Sequence, residues 1–281
     1  MTTLKELVDS KEMIVAPGAF NAASAMLIEK AGFPAVYVSG AGLSNSNGLP
    51  DAGILTCPEV ARLASYITAA VSIPAFVDAD TGFGGPEETA ATVRALEAAG
   101  AWGVQIEDQQ WPKRCGHLPG KKVVPAEEFA AKIKAASEAR TRPGFLIIAR
   151  TDARALEGMD GAVRRARLYM EAGADVVFPE ALETKEEFAQ FSKEVASPLM
   201  ANMTEFGKTP FIEVDEFREM GYAIVIFPMT CFRVAMKAME EALFVLKVSG
   251  TQKGMVSSMQ TRDELYALLR YSGPEGPPHK G

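Results

Sequence analysis

One short segment recurs along the chain: Glu29-Lys-Ala-Gly-Phe-Pro-Ala-Val-Tyr-Val38, Glu97-Ala-Ala-Gly-Ala-Trp-Gly-Val104, Glu171-Ala-Gly-Ala-Asp-Val-Val177 and Arg218-Glu-Met-Gly-Tyr-Ala-Ile-Val225. Each reads as a helix end, a glycine and a buried strand. Gly32, Gly100, Gly173 and Gly221 suit the left-handed position that stops a helix. The apolar, often β-branched run behind each suits a parallel strand covered on both faces. Apolar runs at 13–16, 75–77, 145–149 and 199–201 bring the count to eight short strands, with helical periods such as 86–99 and 126–140 between them. Eight βα units predict a (β/α)8 TIM-type barrel. A doubly wound open sheet competes, but no Gly-x-Gly-x-x-Gly opens a helix after the first strand. The 281 residues match the size of one such barrel, so a single domain over 1–281 is expected.

After the eighth strand, 234–248 and 262–270 read as two more helices. This C-terminal helical segment, 234–270, is surplus to the barrel and is expected to be swapped between subunits of an oligomer. The stretch 272–281 is rich in Pro and Gly and is expected to be a disordered tail.

A net charge of -7 with no basic block argues against a nucleic-acid partner, whose phosphates demand clustered Lys and Arg. No apolar run reaches membrane-spanning length, and the first residues lack the apolar core of a signal peptide. Cys57, Cys115 and Cys231 are odd in number and far apart, which fits reduced thiols in the cytoplasm.

A barrel of this kind carries its active site at the C-terminal ends of its strands. There the sequence places Tyr37-Val-Ser-Gly-Ala41, Val77-Asp-Ala-Asp80, Ile106-Glu-Asp108, Ala149-Arg-Thr-Asp152, Phe178-Pro-Glu180 and Ala201-Asn-Met-Thr-Glu205. Any one of these could simply mark a strand leaving the core. The recurrence of acidic oxygens on successive strands is instead how a hard cation is held. Asp78 and Asp80, two apart, point to one side and can share Mg2+ (with Mn2+ as the alternative), directly or through water, with Glu107 arriving from the next strand. Zinc is a poor reading, because His117 and His279 are the only histidines.

Between the fourth strand and the next helix lies Lys113-Arg-Cys-Gly-His117, in a connection long enough to act as a lid. The flanking cations are expected to lower the Cys115 pKa toward neutrality, where the thiol exchanges protons effectively. A cysteine hydrolase, with Cys115 as nucleophile and His117 as base, is allowed by residue type but leaves the carboxylates idle.

These motifs, with Gly48-Leu-Pro-Asp51, Ala201-Asn-Met-Thr-Glu-Phe-Gly207, Phe232-Arg233 and Met259-Gln-Thr-Arg262, resemble the isocitrate lyase and phosphoenolpyruvate mutase superfamily over almost the whole chain, and within it the methylisocitrate lyases. The Lys-Arg-Cys-Gly-His string is similar to the signature of the carbon–carbon lyases of that superfamily. The resemblance implies a cytoplasmic homotetramer of Mg2+-dependent barrels cleaving a 2-hydroxy di- or tricarboxylate. The leading expectation is 2-methylisocitrate, cleaved to pyruvate and succinate. The alternatives are a 2,3-dimethylmalate lyase, an oxaloacetate decarboxylase of the same superfamily, and a metabolite-binding barrel without activity.

The resemblance also implies roles by position. Asp78 and Asp80 carry the metal, supported through water by Asp51 and Glu107. Ser39, Gly40, Ala41, Cys115, Gly116, Arg150, Glu180, Asn202, Met203, Thr204, Arg233 and Arg262 line the substrate. Tyr37 is the candidate base, Cys115 the proton donor, and Lys113, His117 and Arg150 steady the carbanion. Gln105 stands where those lyases often carry His. Phe178 and Ile226 offer an apolar patch for a methyl group, a contact worth about 1 to 3 kcal/mol of discrimination.

Overall fold

The computed structural model describes residues 2–273, so the expected tail from residue 274 onward, with His279, lies outside the described residues. In chain order the first half runs α1 (Leu4–Asp9), β1 (Ile14–Ala19), α2 (Ala22–Lys30), β2 (Val36–Val38), α3 (Gly40–Ser46), α4 (Cys57–Ala70), β3 (Ala75–Asp78), α5 (Pro86–Ala98) and β4 (Gly103–Glu107). The second runs α6 (Ala126–Ala139), β5 (Leu146–Thr151), α7 (Arg154–Glu171), β6 (Val176–Pro179), α8 (Lys185–Glu194), β7 (Met200–Asn202), α9 (Val214–Glu219), β8 (Ile224–Phe227), α10 (Thr230–Ser249), a 3-10 turn (Lys253–Ser258) and α11 (Arg262–Leu268).

All eight expected strands are present and parallel, in the order β6-β5-β4-β3-β2-β1-β8-β7. β1 pairs with both β2 and β8, which joins the two ends of the chain and rules out the open sheet. The remaining seam, β6 to β7, rests on one bridge between Val177 and Leu199. Gly32, Gly100, Gly173 and Gly221 take φ of 87°, 92°, 109° and 84°, as the helix-stop reading requires.

Strand parity sets up the site. Side chains at alternate positions, including Ile14, Tyr37, Phe76, Ile148, Val176 and Ile224, fill the barrel interior, and Leu4 from α1 joins them. The opposite parity, with Val38, Val77, Val104, Ile106 and Ile147, meets Ala64, Ile67, Val93, Leu96, Phe129 and Ile133 of the surrounding helices. Continuing the inward series toward the C-terminal ends turns it polar: Phe76 leads to Asp78, Ile148 to Arg150, Phe178 to Glu180 and Met200 to Asn202. The alternation that packs the barrel thus also aims the functional groups.

The C-terminal segment departs from this pattern. α10 begins at Thr230 rather than at 234, with Met229 at its N-cap and no side-chain cap, so no local signal marked its start. None of its 20 residues is buried. α11 returns to α2 of the same chain, where Leu268 is buried and Arg270 reaches Glu29 at 2.7 Å.

Candidate active site

The polar ends of the inward series surround a cavity of about 140 Å3, lined by Tyr37, Ser39, Ala41, Asp51, Asp78, Lys113, Cys115, Gly116, His117, Arg150, Phe178, Glu180, Asn202, Thr204, Ile226 and Arg233, among others. A larger groove of about 950 Å3 lies outside it, between the start of α4 and the 109–125 connection. We place the chemistry in the smaller cavity because that is where buried charges of both signs gather.

Two cations anchor the cavity wall. Lys113 Nζ lies 2.7 Å from Asp80 Oδ1 and pairs with Asp51. Burial opposes its charge, yet Asp80, Glu107, Asp51 and Asp78 outweigh that and hold the ammonium well above its ordinary pKa. Arg150 donates through Nε and Nη2 to the two oxygens of Asp152 at 2.9 and 3.1 Å. Its Nη1 stands 3.3 Å from Glu107 and its Nε 3.9 Å from Glu180. The same balance lowers Glu180, where the charge of Arg150 and hydrogen bonding by His117 overcome burial, and holds Asp152 at about 2, where Arg150 and Lys121 overcome burial.

The β3 and β4 carboxylates differ. Burial and the neighbouring Asp80 push Asp78 up to about 6, and burial drives Glu107 well above its usual range. Glu107 Oε1 is buried without a hydrogen-bond partner. This wall carries more negative charge than Lys113 and Arg150 satisfy, and every spare donor on it is a carboxylate oxygen, which fits a hard divalent cation. Among the described residues no three carboxylate, imidazole or thiol groups already converge as a closed metal cage.

The 108–125 connection forms the roof. Its neck is a short antiparallel ribbon in which Gln110 N–H donates to Lys122 O at 2.8 Å and Val124 N–H to Asp108 O at 2.9 Å. Lys121 Nζ then binds Asp152 Oδ1 at 2.8 Å, tying the roof to the carboxylate that orients Arg150. His117 Nε2 lies 2.9 Å from Glu180 Oε1.

The thiol differs from its expected state. Burial pushes the Cys115 pKa up, with Asp51 and Glu180 adding to it. The neighbours in sequence are engaged elsewhere, the Lys113 ammonium with Asp51 and Asp80 and the His117 imidazole beside Glu180. Tyr37 also departs from expectation. Its hydroxyl donates to Gln105 Oε1 at 2.7 Å, and burial together with Asp78 holds the phenol well above its ordinary pKa, which disfavours a free base.

Of the other expected residues, Gly40 lies outside the cavity lining but allows close approach, since a β-carbon there would stand 2.8 Å from Asp78 Oδ2. Met203 is buried and away from the lining. Arg262 opens α11 on the surface, away from the cavity, because α11 turns back onto α2 rather than toward the mouth. Sequence reasoning missed Asp152 as the partner of Arg150 and Lys121 as the second cation on Asp152. Asp152 had a signal, standing two positions after Arg150 and therefore on the same side of the strand.

The phosphoenolpyruvate phosphomutase family model matches residues 4–246. A 2-methylisocitrate lyase of Aeropyrum pernix is 53% identical over 95% of this chain and 86% of its own length. One from Bacillus subtilis is 48% identical over 95% of this chain and 88% of its own. Among solved structures, a 2,3-dimethylmalate lyase of the same superfamily superposes with a TM-score of 0.90 at 38% identity, covering 96% of this chain and 92% of the other.

Proposed function

The chain belongs to the phosphoenolpyruvate phosphomutase family, and from that premise we propose a carbon–carbon lyase that cleaves 2-methylisocitrate to pyruvate and succinate. The single observation that carries the reading is the half-buried thiol of Cys115 sharing one cavity with Arg150, Lys113 and the Asp78 carboxylate.

Asp78 and Asp80 would hold Mg2+, or Mn2+ in its place, with Asp51 and Glu107 supporting it through water. When bound, the ion makes loss of the substrate hydroxyl proton accessible near neutral pH. With that proton given up to solvent, the oxygen's electrons form the ketone of pyruvate as the bond to the neighbouring carbon breaks, and the bonding pair is left on a succinate-like carbanion delocalised into its carboxylate. Arg150 and Lys113 offset the charge, and His117 and Gly116 close the roof over it. Cys115 delivers the proton: a thiol whose pKa is raised stays in the acid form at neutral pH, the form this step needs. Tyr37 serves as a neutral hydrogen-bond donor beside Asp78.

Ser39, Ala41, Asn202 and Thr204 line the substrate. Phe178 and Ile226, both in the lining and each only 1% exposed, offer the methyl patch, with Arg150 stacked 5.4 Å over the Phe178 ring. Arg233 at the rim supplies a partner for a third carboxylate, which favours the tricarboxylate over dimethylmalate.

Helix α10 supports an oligomer, which we take to be the homotetramer with this helix exchanged between subunits. Among the described residues no helix is long and apolar enough to cross a membrane, and the three cysteines are free, which supports the cytoplasmic reading. Incubation with Mg2+ and, separately, 2-methylisocitrate, 2,3-dimethylmalate and isocitrate tests the proposal. Pyruvate released fastest from 2-methylisocitrate supports it; release only from another substrate, or from none, contradicts it.

A further inference from the structure

The segment following β7 meets the roof at one point. Lys208 N–H donates to His117 Nδ1 at 3.1 Å. Gly207 lies so close to the imidazole that a β-carbon there would stand 2.7 Å from Nδ1, 2.9 Å from Cε1 and 3.0 Å from Cγ. Phe206 just before it holds a left-handed φ of 60°, a conformation that bulky residues seldom adopt, while its ring lies 5.3 Å beneath the Arg233 guanidinium. On the other side of the imidazole, Nε2 faces Glu180 Oε1 at 2.9 Å.

We propose that Gly207 is a positioning residue: its missing side chain lets the backbone of the 203–209 segment close on His117, and the Lys208 N–H fixes the imidazole tautomer. The chemistry follows from the inventory of a neutral imidazole, in which one nitrogen donates and the other accepts. Nδ1 receives a hydrogen bond from a backbone amide and must present its lone pair. The proton therefore sits on Nε2, which lies 2.9 Å from Glu180 Oε1 within the cavity. Glu180 is fixed in turn by Asn202 Nδ2, 3.4 Å from each of its oxygens. One backbone amide thereby joins two loops over the mouth and determines which face of His117 can donate a hydrogen bond there.

The inference rests on the lyase reading for its catalytic consequence only, since the tautomer can be read without substrate. The chain has two histidines, His117 and His279, so the nitrogen NMR spectrum of protein labelled with 15N-histidine is simple, and His279→Gln assigns it. The expected wild-type spectrum has a protonated Nε2 and an unprotonated Nδ1 for His117. Gly207→Ala pushes the ring away, and Lys208→Pro replaces the donating N–H with a ring methylene that cannot donate; each should move His117 toward a mixture of tautomers. In a folded Gly207→Ala protein kcat should fall roughly tenfold at nearly constant KM, the effect of about one hydrogen bond felt in the transition state. A wild-type His117 protonated on Nδ1, or wild-type tautomers retained in both variants, overturns the assignment. Failure of the lyase reading would appear separately, as a correct tautomer in a protein that releases no pyruvate.

Discussion

At the barrel mouth each buried cation has carboxylates within reach: Lys113 has Asp51 and Asp80, Arg150 has Asp152, Glu107 and Glu180, and Lys121 has Asp152. Along α10 the large apolar side chains have no such answer. Val234, Leu243, Phe244 and Val248 are 66%, 65%, 67% and 69% exposed. The mouth is assembled on the strands of one chain, and its buried cations are paired within that chain, whereas Glu107 keeps an unpartnered oxygen there. α10 displays a helix-length apolar surface that the described residues leave uncovered, which supports the proposed interface. The comparison separates cations that one barrel pairs within itself from an apolar face that the proposed oligomer would cover.

The sharpest way to test the self-sufficiency of the mouth is Cys115→Ser, which keeps the shape and removes the proton donor. Turnover should drop about 10² to 10⁴-fold while Mg2+ affinity, measured by calorimetry, stays unchanged. A smaller effect is expected from Asp152→Asn. It preserves the volume and removes the charge shared by Arg150 and Lys121, so kcat/KM should fall about 10 to 100-fold, the worth of a hydrogen bond to a charged group. An undiminished value would mean that Glu107 and Glu180 orient Arg150 unaided.

On the α10 side, Leu243→Glu combined with Phe244→Glu should shift the sedimenting species toward the 30.1 kDa monomer and leave Mg2+ affinity unaltered, because Asp78 and Asp80 come from the same chain. An unchanged assembly would refute the reading of α10 as an interface. The smallest effect concerns pH. A raised Cys115 pKa keeps the acid form protonated further into the alkaline range, so the alkaline limb of kcat should lie above that of an ordinary thiol. A limb below that range would mean that the thiol is depressed after all.

Much of the fold was legible because a glycine after a helix and a β-branched run behind it are local signals that located four strands, and short apolar runs located the other four. The start of α10 was not, since Met229 gives no cap. Arg150, Glu180 and Asn202 were readable as the ends of inward series. The state of the Cys115 thiol was misread because sequence neighbours are not spatial partners: the Lys113 charge is taken up by Asp51, 62 positions away. The contact between Lys208 and His117 spans 91 positions and involves a backbone amide, which no residue type announces.

The central claim is that a thiol fixed beneath the roof delivers a proton to the carbanion formed in the mouth. Cleavage in D2O tests it directly by analysis of the succinate. The account expects one non-exchangeable deuterium per molecule, in a single enantiomer, because Cys115 reaches one face only. Racemic monodeuterated succinate would mean that water quenches a free carbanion, and would contradict a positioned acid.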